Sequence, residues 1–300
     1  MLQEQDLKWQ TKATRPETEH KTQYHIRCKP GDVAKYVLLP GDPERVPMIA
    51  NYWDEKKHIA TYREHVTYTG KISEIEISAC STGAGGPSTA SALEELAEIG
   101  ADTFIRVGTC GAIQDYIEPG DLIICAGAVR HDGTSDQYVE KGYPALANHE
   151  VVMALIEAAE KLGVTYHVGL AYTSASFFCG QGRPGFNSYK QSWMDTILLD
   201  MRQAGVLNFE MEAATVLTLS SLFRLRAGAV FTVVANRIKD QLSYKSTSVQ
   251  QSISVAIEAI QILHYWDQLK KRSGKKYFYP SLLNYGIQNK SFDQSGGRVL

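Results

Sequence analysis

Strand-like and helix-like runs alternate along the 300-residue chain, which predicts an α/β fold with a mixed or parallel sheet. Three observations carry that expectation. Short apolar runs at 35–39, 102–107, 122–125 and 227–235 have the length and bounding of buried strands. Longer segments at 89–99, 148–162 and 248–269 place apolar residues at helical spacing. Between them lie Gly-, Pro- and polar-rich clusters, the punctuation of strand-to-helix turns.

Taken in order, residues 1–23 are rich in Lys, Glu, Gln and Thr and read as a flexible N-terminal arm. Residues 24–272 read as a single domain, followed by a C-terminal tail, 273–300. The tail carries Tyr277, Phe278, Tyr279 and Tyr285, able to pack on the body or on a partner. The strand at 35–39 ends at Pro40-Gly41-Asp42-Pro43, and a helix is expected from Glu44 with Asp42 as cap. Such a turn offers free N–H groups to an anion, and Arg45 adds charge to match. Two alternating strands follow, at 58–69 (holding Arg63 and Glu64) and 71–80. The Gly-rich residues 81–88 then turn into the helix at 89–99.

Arg106 closes the strand at 102–107. A guanidinium cannot shed its charge, so it needs a ligand or an acidic partner such as Glu94 or Glu95. Asn148 caps the helix that Gly163 stops. A strand at 166–176 leads into the loop from Phe177 to Gly185 and a helix at 188–203. Asn208-Phe209-Glu210-Met211-Glu212 precedes an apolar helix at 213–222. If extended there, Glu210 and Glu212 point to one side and suit a ligand with several hydroxyls. The plainer alternative is that both acids complement the helix dipole.

Composition narrows the function. Hydrophobic content of 44% and charged content of 21% suit a soluble globular domain. A net charge of -2 leaves no footprint for nucleic acid or an anionic membrane. No run is long enough to cross a bilayer, and no signal peptide core precedes the domain. Five cysteines (Cys28, Cys80, Cys110, Cys125, Cys179) without a CxxC pair argue against disulfides and zinc and for the cytoplasm. The histidines form no metal-binding pattern, so neither metal nor cofactor is expected.

Gly180-Gln181-Gly182-Arg183-Pro184-Gly185 matches G-x-G-x-x-G, with Asp200 downstream. It comes late in the chain, carries Pro184 and places bulky Gln181 and Arg183 where a backbone should approach pyrophosphate, so a dinucleotide site is rejected. Read as side chains, Gln181 and Arg183 share one side of an extended loop and can read a flat heterocycle, with Phe177 against its face. Arg45, Arg63, Arg106, Thr109 and the Gly41 turn supply donors for a dianion. Anion, sugar and base recognition together imply a nucleoside plus phosphate. No nucleophile with a paired base is evident.

Five segments carry a resemblance: 41–45, 81–88, 104–114, 177–183 and 208–215. In these the chain resembles the nucleoside phosphorylase-I family over about residues 24–269. The resemblance implies a three-layer α/β/α subunit whose central mixed sheet closes partly into a barrel. It implies reversible phosphorolysis of uridine to uracil and ribose 1-phosphate, with phosphate as co-substrate. Phosphate would meet Gly41, Arg45, Arg106 and Thr109, with Arg63 from across a dimer interface. Ribose would meet Thr109, Met211, Glu212 and the neighbour's His25. The base would meet Gly111, Phe177, Gln181, Arg183 and Glu210, with Arg237 backing the loop. Catalysis would fall to Arg183, Gln181 and Arg106. A homo-oligomer is implied, a hexamer of three dimers ahead of a dimer. Purine-directed relatives carry an aspartate after the last long strand, which Val234-Ala235-Asn236-Arg237 lacks, so a pyrimidine is favoured. Cys110 departs from the threonine of the close bacterial pattern. The alternatives are a purine nucleoside phosphorylase, a nucleosidase that uses water, or an inactive nucleoside-binding relative.

Overall fold

The computed structural model describes residues 13–243 and 246–284. The strands are β1 (Tyr36–Pro40), β2 (Glu55–Tyr62), β3 (His65–Ile72), β4 (Ile75–Cys80), β5 (Thr103–Ala112), β6 (Leu122–His131), β7 (Ala145–Leu146), β8 (Tyr166–Ser174), β9 (Val206–Glu210), β10 (Arg226–Asn236) and β11 (Gln241–Leu242). The helices are α1 (Arg45–Ala50), α2 (Gly86–Glu98), α3 (His149–Leu162), α4 (Ser192–Gln203), α5 (Ala213–Leu222) and α6 (Ser246–Ser273).

All the strands join one mixed sheet. β5 pairs antiparallel with β9, β9 parallel with β8, β8 parallel with β6, and β6 antiparallel with β10. β10 returns parallel to β5, so these five strands close a barrel. From β5 the sheet also opens outward through β1, β4, β3 and β2. β1 shows how the layers arise. Tyr36 and Leu38 enter one core with α1, α3 and α6, while Val37 and Leu39 enter another with α2 and α5. Strand side chains alternate between faces, so a strand apolar on both must lie between two helical layers. α5 is buried from Ala213 to Ser220, which explains its unbroken apolar sequence. The fold is the three-layer, partly barrel-like α/β architecture expected.

Several element boundaries differ from the sequence reading. The span 58–69 is not one strand: β2 and β3 meet at a hairpin where Arg63 takes a left-handed φ of 52°. The span 71–80 hides a second hairpin at Ser73 (φ 46°) and Glu74 (φ 67°). Neither turn contains the Gly or Asn that usually marks positive φ. β9 gives Asn208 to Glu210 the extended form weighed for that stretch and begins two residues earlier, at Val206. β5 and β6 run on to Ala112 and His131, past the expected strand ends.

Of the proposed arm, residues 13–23 form a turn bridged between Glu17 and Gln23, with Thr18 and Gln23 buried and Arg15 paired to Glu98 at 3.1 Å. Residues 1–12 and Tyr285 lie outside the described residues. The tail packs on the body: Phe278 stacks on Trp266 at 3.8 Å, and its N–H donates to Glu150 at 2.9 Å. Among the described residues no helix is long and apolar enough to cross a membrane. The five cysteines are free, and four of them are buried.

Candidate active site

A cavity of about 300 Å³ opens where β1, β5, β9 and β10 end. Ligands in α/β sheets sit outside the carboxyl ends of strands. Gly41 and Arg45 line it from the β1 turn, and Arg106, Thr109 and Gly111 line it from β5. Phe177, Gln181 and Arg183 come from the loop after β8, and Glu210, Met211 and Glu212 from the turn after β9. At about 3.3 Å per strand residue, Arg106 and Gly111 mark opposite ends of a floor about 17 Å long.

At one end Arg106 is 4% exposed. Its Nε donates to Glu210 Oε2 at 3.2 Å and its Nη2 to Glu212 Oε2. Its acidic partners are therefore these two, not Glu94 or Glu95. Glu94 accepts from Tyr138, and Glu95 holds His25. The guanidinium folds back over its own strand, so a Cβ at Gly108 would come within 2.9 Å of Arg106 Nη2. Only glycine fits there. Arg106 Nη1 finds no partner among the described residues, and neither does Arg45 Nε. Buried donors of this kind call for an acceptor from elsewhere. The helix dipole contributes little, because α1 has only six residues and lacks a side-chain cap. Asp42 instead accepts the Glu44 N–H at 3.0 Å, fixing the turn.

The two glutamates share a side, as the extended reading required, but differ in use. Glu210 is saturated from within. Its carboxylate accepts from Arg106, from Thr173 Oγ1 at 2.5 Å, from Glu212 N–H at 2.9 Å and from Ala213 N–H at 2.9 and 3.0 Å. It thus caps α5, the plainer role weighed for it, and keeps no lone pair for a base. Glu212 accepts from Gly85 N–H at 2.6 Å and from Arg106, and keeps acceptor capacity for a hydroxyl. Burial pushes the Glu210 carboxyl above its ordinary range, with Arg106 opposing.

At the other end Gln181 is buried in a short 3-10 turn, and its Oε1 accepts from Arg183 Nη1 at 2.5 Å. The same Nη1 donates to Phe177 O at 2.7 Å, and the guanidinium lies 4.0 Å above the Phe177 ring. Arg237 is behind the loop, donating to Gln181 O at 3.2 Å. Gly111 lies beside both arginines: a Cβ there would sit 3.4 Å from Arg237 Cγ and 4.0 Å from Arg183 Nη2. Burial, then the nearby Arg237 cation, lower Arg183 to about 10, so it stays charged at neutral pH.

His25 and Arg63 do not line this cavity. Both border a separate recess with Glu64, His65 and Ser88. Ala84 borders both. His25 is fixed there by Glu95 at 2.7 Å. Sequence reasoning also missed Thr173, Gly85 and Gly108. Thr173 and Gly85 act through acids 37 and 127 residues away, and Gly108 makes room for the folded-back Arg106 side chain.

A family model described as the phosphorylase superfamily matches residues 35–264. The chain belongs to this superfamily. A curated member, the uridine phosphorylase of Thermococcus kodakarensis, is 57% identical over 270 residues, 90% of this chain and 97% of the relative. The uridine phosphorylase of Escherichia coli is 37% identical over 244 residues, 79% and 96% of the two chains. A guanosine phosphorylase of Halorubrum lacusprofundi is 35% identical over 251 residues, 80% and 99%. Among the described residues of this superfamily member, no group of three or more His, Cys, Asp or Glu could hold a metal ion.

Proposed function

We propose that the chain is a uridine phosphorylase, a pentosyltransferase converting uridine and phosphate reversibly to uracil and ribose 1-phosphate. The observation that carries this reading is one cavity with open arginine donors at one end, an unsaturated carboxylate between, and a Gln–Arg pair at the other. Phosphate sits against Arg45, Arg106, Thr109 and the Gly41 turn. Glu212 and Met211 hold the ribose. Gln181 and Arg183 face uracil, with Phe177 on its flank.

The phosphate oxygen bonds to C1′ as the C1′–N1 bond breaks, and the bond pair leaves with the base. The sugar passes through an oxocarbenium-like state, offset by the phosphate dianion. Charge grows on the uracil carbonyl, where the Arg183 guanidinium receives it. Phosphate is a co-substrate and no cofactor is invoked. The chain works in the cytoplasm.

The cations Arg45 and Arg106 are matched by Glu210 and Glu212, so a dianion gains from one more cation. Arg63 of a second copy supplies it, and His25 of that copy reaches the ribose. The active form is accordingly an oligomer, a hexamer of three dimers on this reading.

Uridine incubated with and without inorganic phosphate tests the reaction. Uracil release that requires phosphate and yields ribose 1-phosphate is expected, and phosphate-independent release would point to a nucleosidase. Arg183→Ala is expected to lower kcat by about 100-fold, because its bond strengthens in the transition state. Unchanged turnover in that variant removes the role. The guanosine phosphorylase relative keeps a purine reading in view, and guanosine offered beside uridine decides between them.

A further inference from the structure

Thr173 lies on β8 opposite Glu210 in the strand register and is wholly buried, yet it borders no cavity described above. Its Oγ1 accepts from Ala214 N–H at 2.9 Å. That use of the oxygen directs its own hydrogen at Glu210 Oε1, 2.5 Å away. Glu210 in turn holds Arg106 Nε and the N–H groups of Glu212 and Ala213. Arg106 is left with Nη1 as its open edge. One hydroxyl therefore fixes the carboxylate that sets both the guanidinium plane and the backbone carrying Glu212.

We propose that Thr173 is a positioning residue for phosphorolysis, acting through Glu210 to aim Arg106 at phosphate and to seat Glu212 beside the ribose. The proposal rests on the phosphate role given to Arg106 above. A guanidinium held by two carboxylates has one orientation, and a displacement of about 1 Å at a reacting centre can cost on the order of 100-fold. Deleting the hydroxyl leaves Ala214 N–H without its acceptor and Glu210 without its strongest neutral donor.

The pH response follows from the same contacts. The ionisable groups facing Glu210 are Arg106 and Cys110 on β5, Glu212 beside it and Cys125 on β6. The Thr173 hydrogen bond favours the ionised carboxylate, so its loss raises the Glu210 pKa. Protonated Glu210 no longer holds Arg106 as an ion pair. The acid limb of phosphate binding in Thr173→Val should therefore lie at higher pH than in the wild type.

The test compares wild type, Thr173→Val, Thr173→Ala, Thr173→Ser and a control, Thr232→Val. Thr232 is a buried threonine on β10 that does not line the cavity and whose hydroxyl bonds Ser248 and Ser252 of α6. Inorganic phosphate binding is measured by calorimetry across pH, with uridine turnover in parallel. Expected are a Kd for phosphate raised about tenfold or more in Thr173→Val and Thr173→Ala, recovery in Thr173→Ser, and no change in Thr232→Val beyond a lower Tm. A Kd within twofold of wild type in Thr173→Val, or equal losses in Thr173→Ser and Thr232→Val, overturns the proposal. Wild type that binds phosphate but does not turn over uridine defeats the functional reading alone, while the Kd ratios still decide the role of Thr173. Two variants lacking the hydroxyl keep the measurement available if one does not fold.

Discussion

Two arginines sit three register positions apart along β5, one partly buried and one buried, each between two carboxylates, and they are finished differently. Arg226 pairs in register with Thr103 at the start of the strand. Its three nitrogens all have partners: Thr103 at 2.9 and 3.1 Å, Glu150 at 3.2 Å, and Asp267 at 2.7 and 2.8 Å. Lys270 and Phe278 N–H complete Glu150, and Tyr36 completes Asp267. Arg106, three residues beyond Thr103, keeps one nitrogen open. A cation whose nitrogens are all partnered within the chain holds the fold, and a buried one with an open nitrogen calls for an acceptor from elsewhere. The two clusters should therefore fail in different measurements.

The largest effect is expected at the saturated cluster. Arg226→Met takes the shared guanidinium from Glu150 and Asp267, leaving Lys270 as a cation to both, and should cost about 3 kcal/mol of stability, read by denaturant unfolding, with turnover of the folded fraction changed less than about threefold. If turnover falls in proportion instead, the two clusters are not separable. Next comes Arg106→Lys, which keeps the charge but loses the planar fork. It should reduce kcat/KM for phosphate by about 100-fold and leave unfolding nearly unmoved.

Acid sharpens the contrast. Burial opposes it, but hydrogen bonds and charge from Arg226, with Tyr36 and Lys270, hold the Asp267 carboxyl well below its usual range. A depressed carboxyl contributes stability above its unfolded pKa, about 4, and loses it as pH falls toward the folded value. Tm should hold down to about pH 5 and then drop, and Asp267→Asn should flatten that drop while lowering the plateau. The Glu210 carboxyl is raised, so its contribution has the opposite sign and fades as pH rises through the folded pKa. The smallest effect is expected at Cys110, which lines the cavity with its thiol kept neutral by burial. Cys110→Thr should shift the uridine-to-thymidine preference by less than about tenfold, measured as a ratio of kcat/KM values.

The contrast also marks what a sequence can reveal. The neighbourhood of Gln181 and Arg183 was readable, but its form was not: a 3-10 turn and a left-handed Gly182 (φ 70°), rather than an extended loop, bring the pair together. The layers were readable because β1 and α5 carry their burial in their own residue types. The division of labour between Glu210 and Glu212 was not. Their deciding partners, Arg106 and Gly85, lie 104 and 127 residues away, and no local spacing encodes which acid is filled from within. The hairpins at Arg63 and Ser73 stayed hidden for the converse reason. Their turns use residues with side chains in a backbone region that local rules reserve for glycine.

β5 is the seam between a closed barrel and an open sheet, laddered to β1, β9 and β10 at once. Its alignment is thus set against three neighbours, so the aim of Arg106 is inherited from the ladder rather than from any surface loop. One residue inserted between 103 and 112 would send every following side chain to the opposite face. The composition would hardly change, yet the side chains that now line the cavity would be turned away from it.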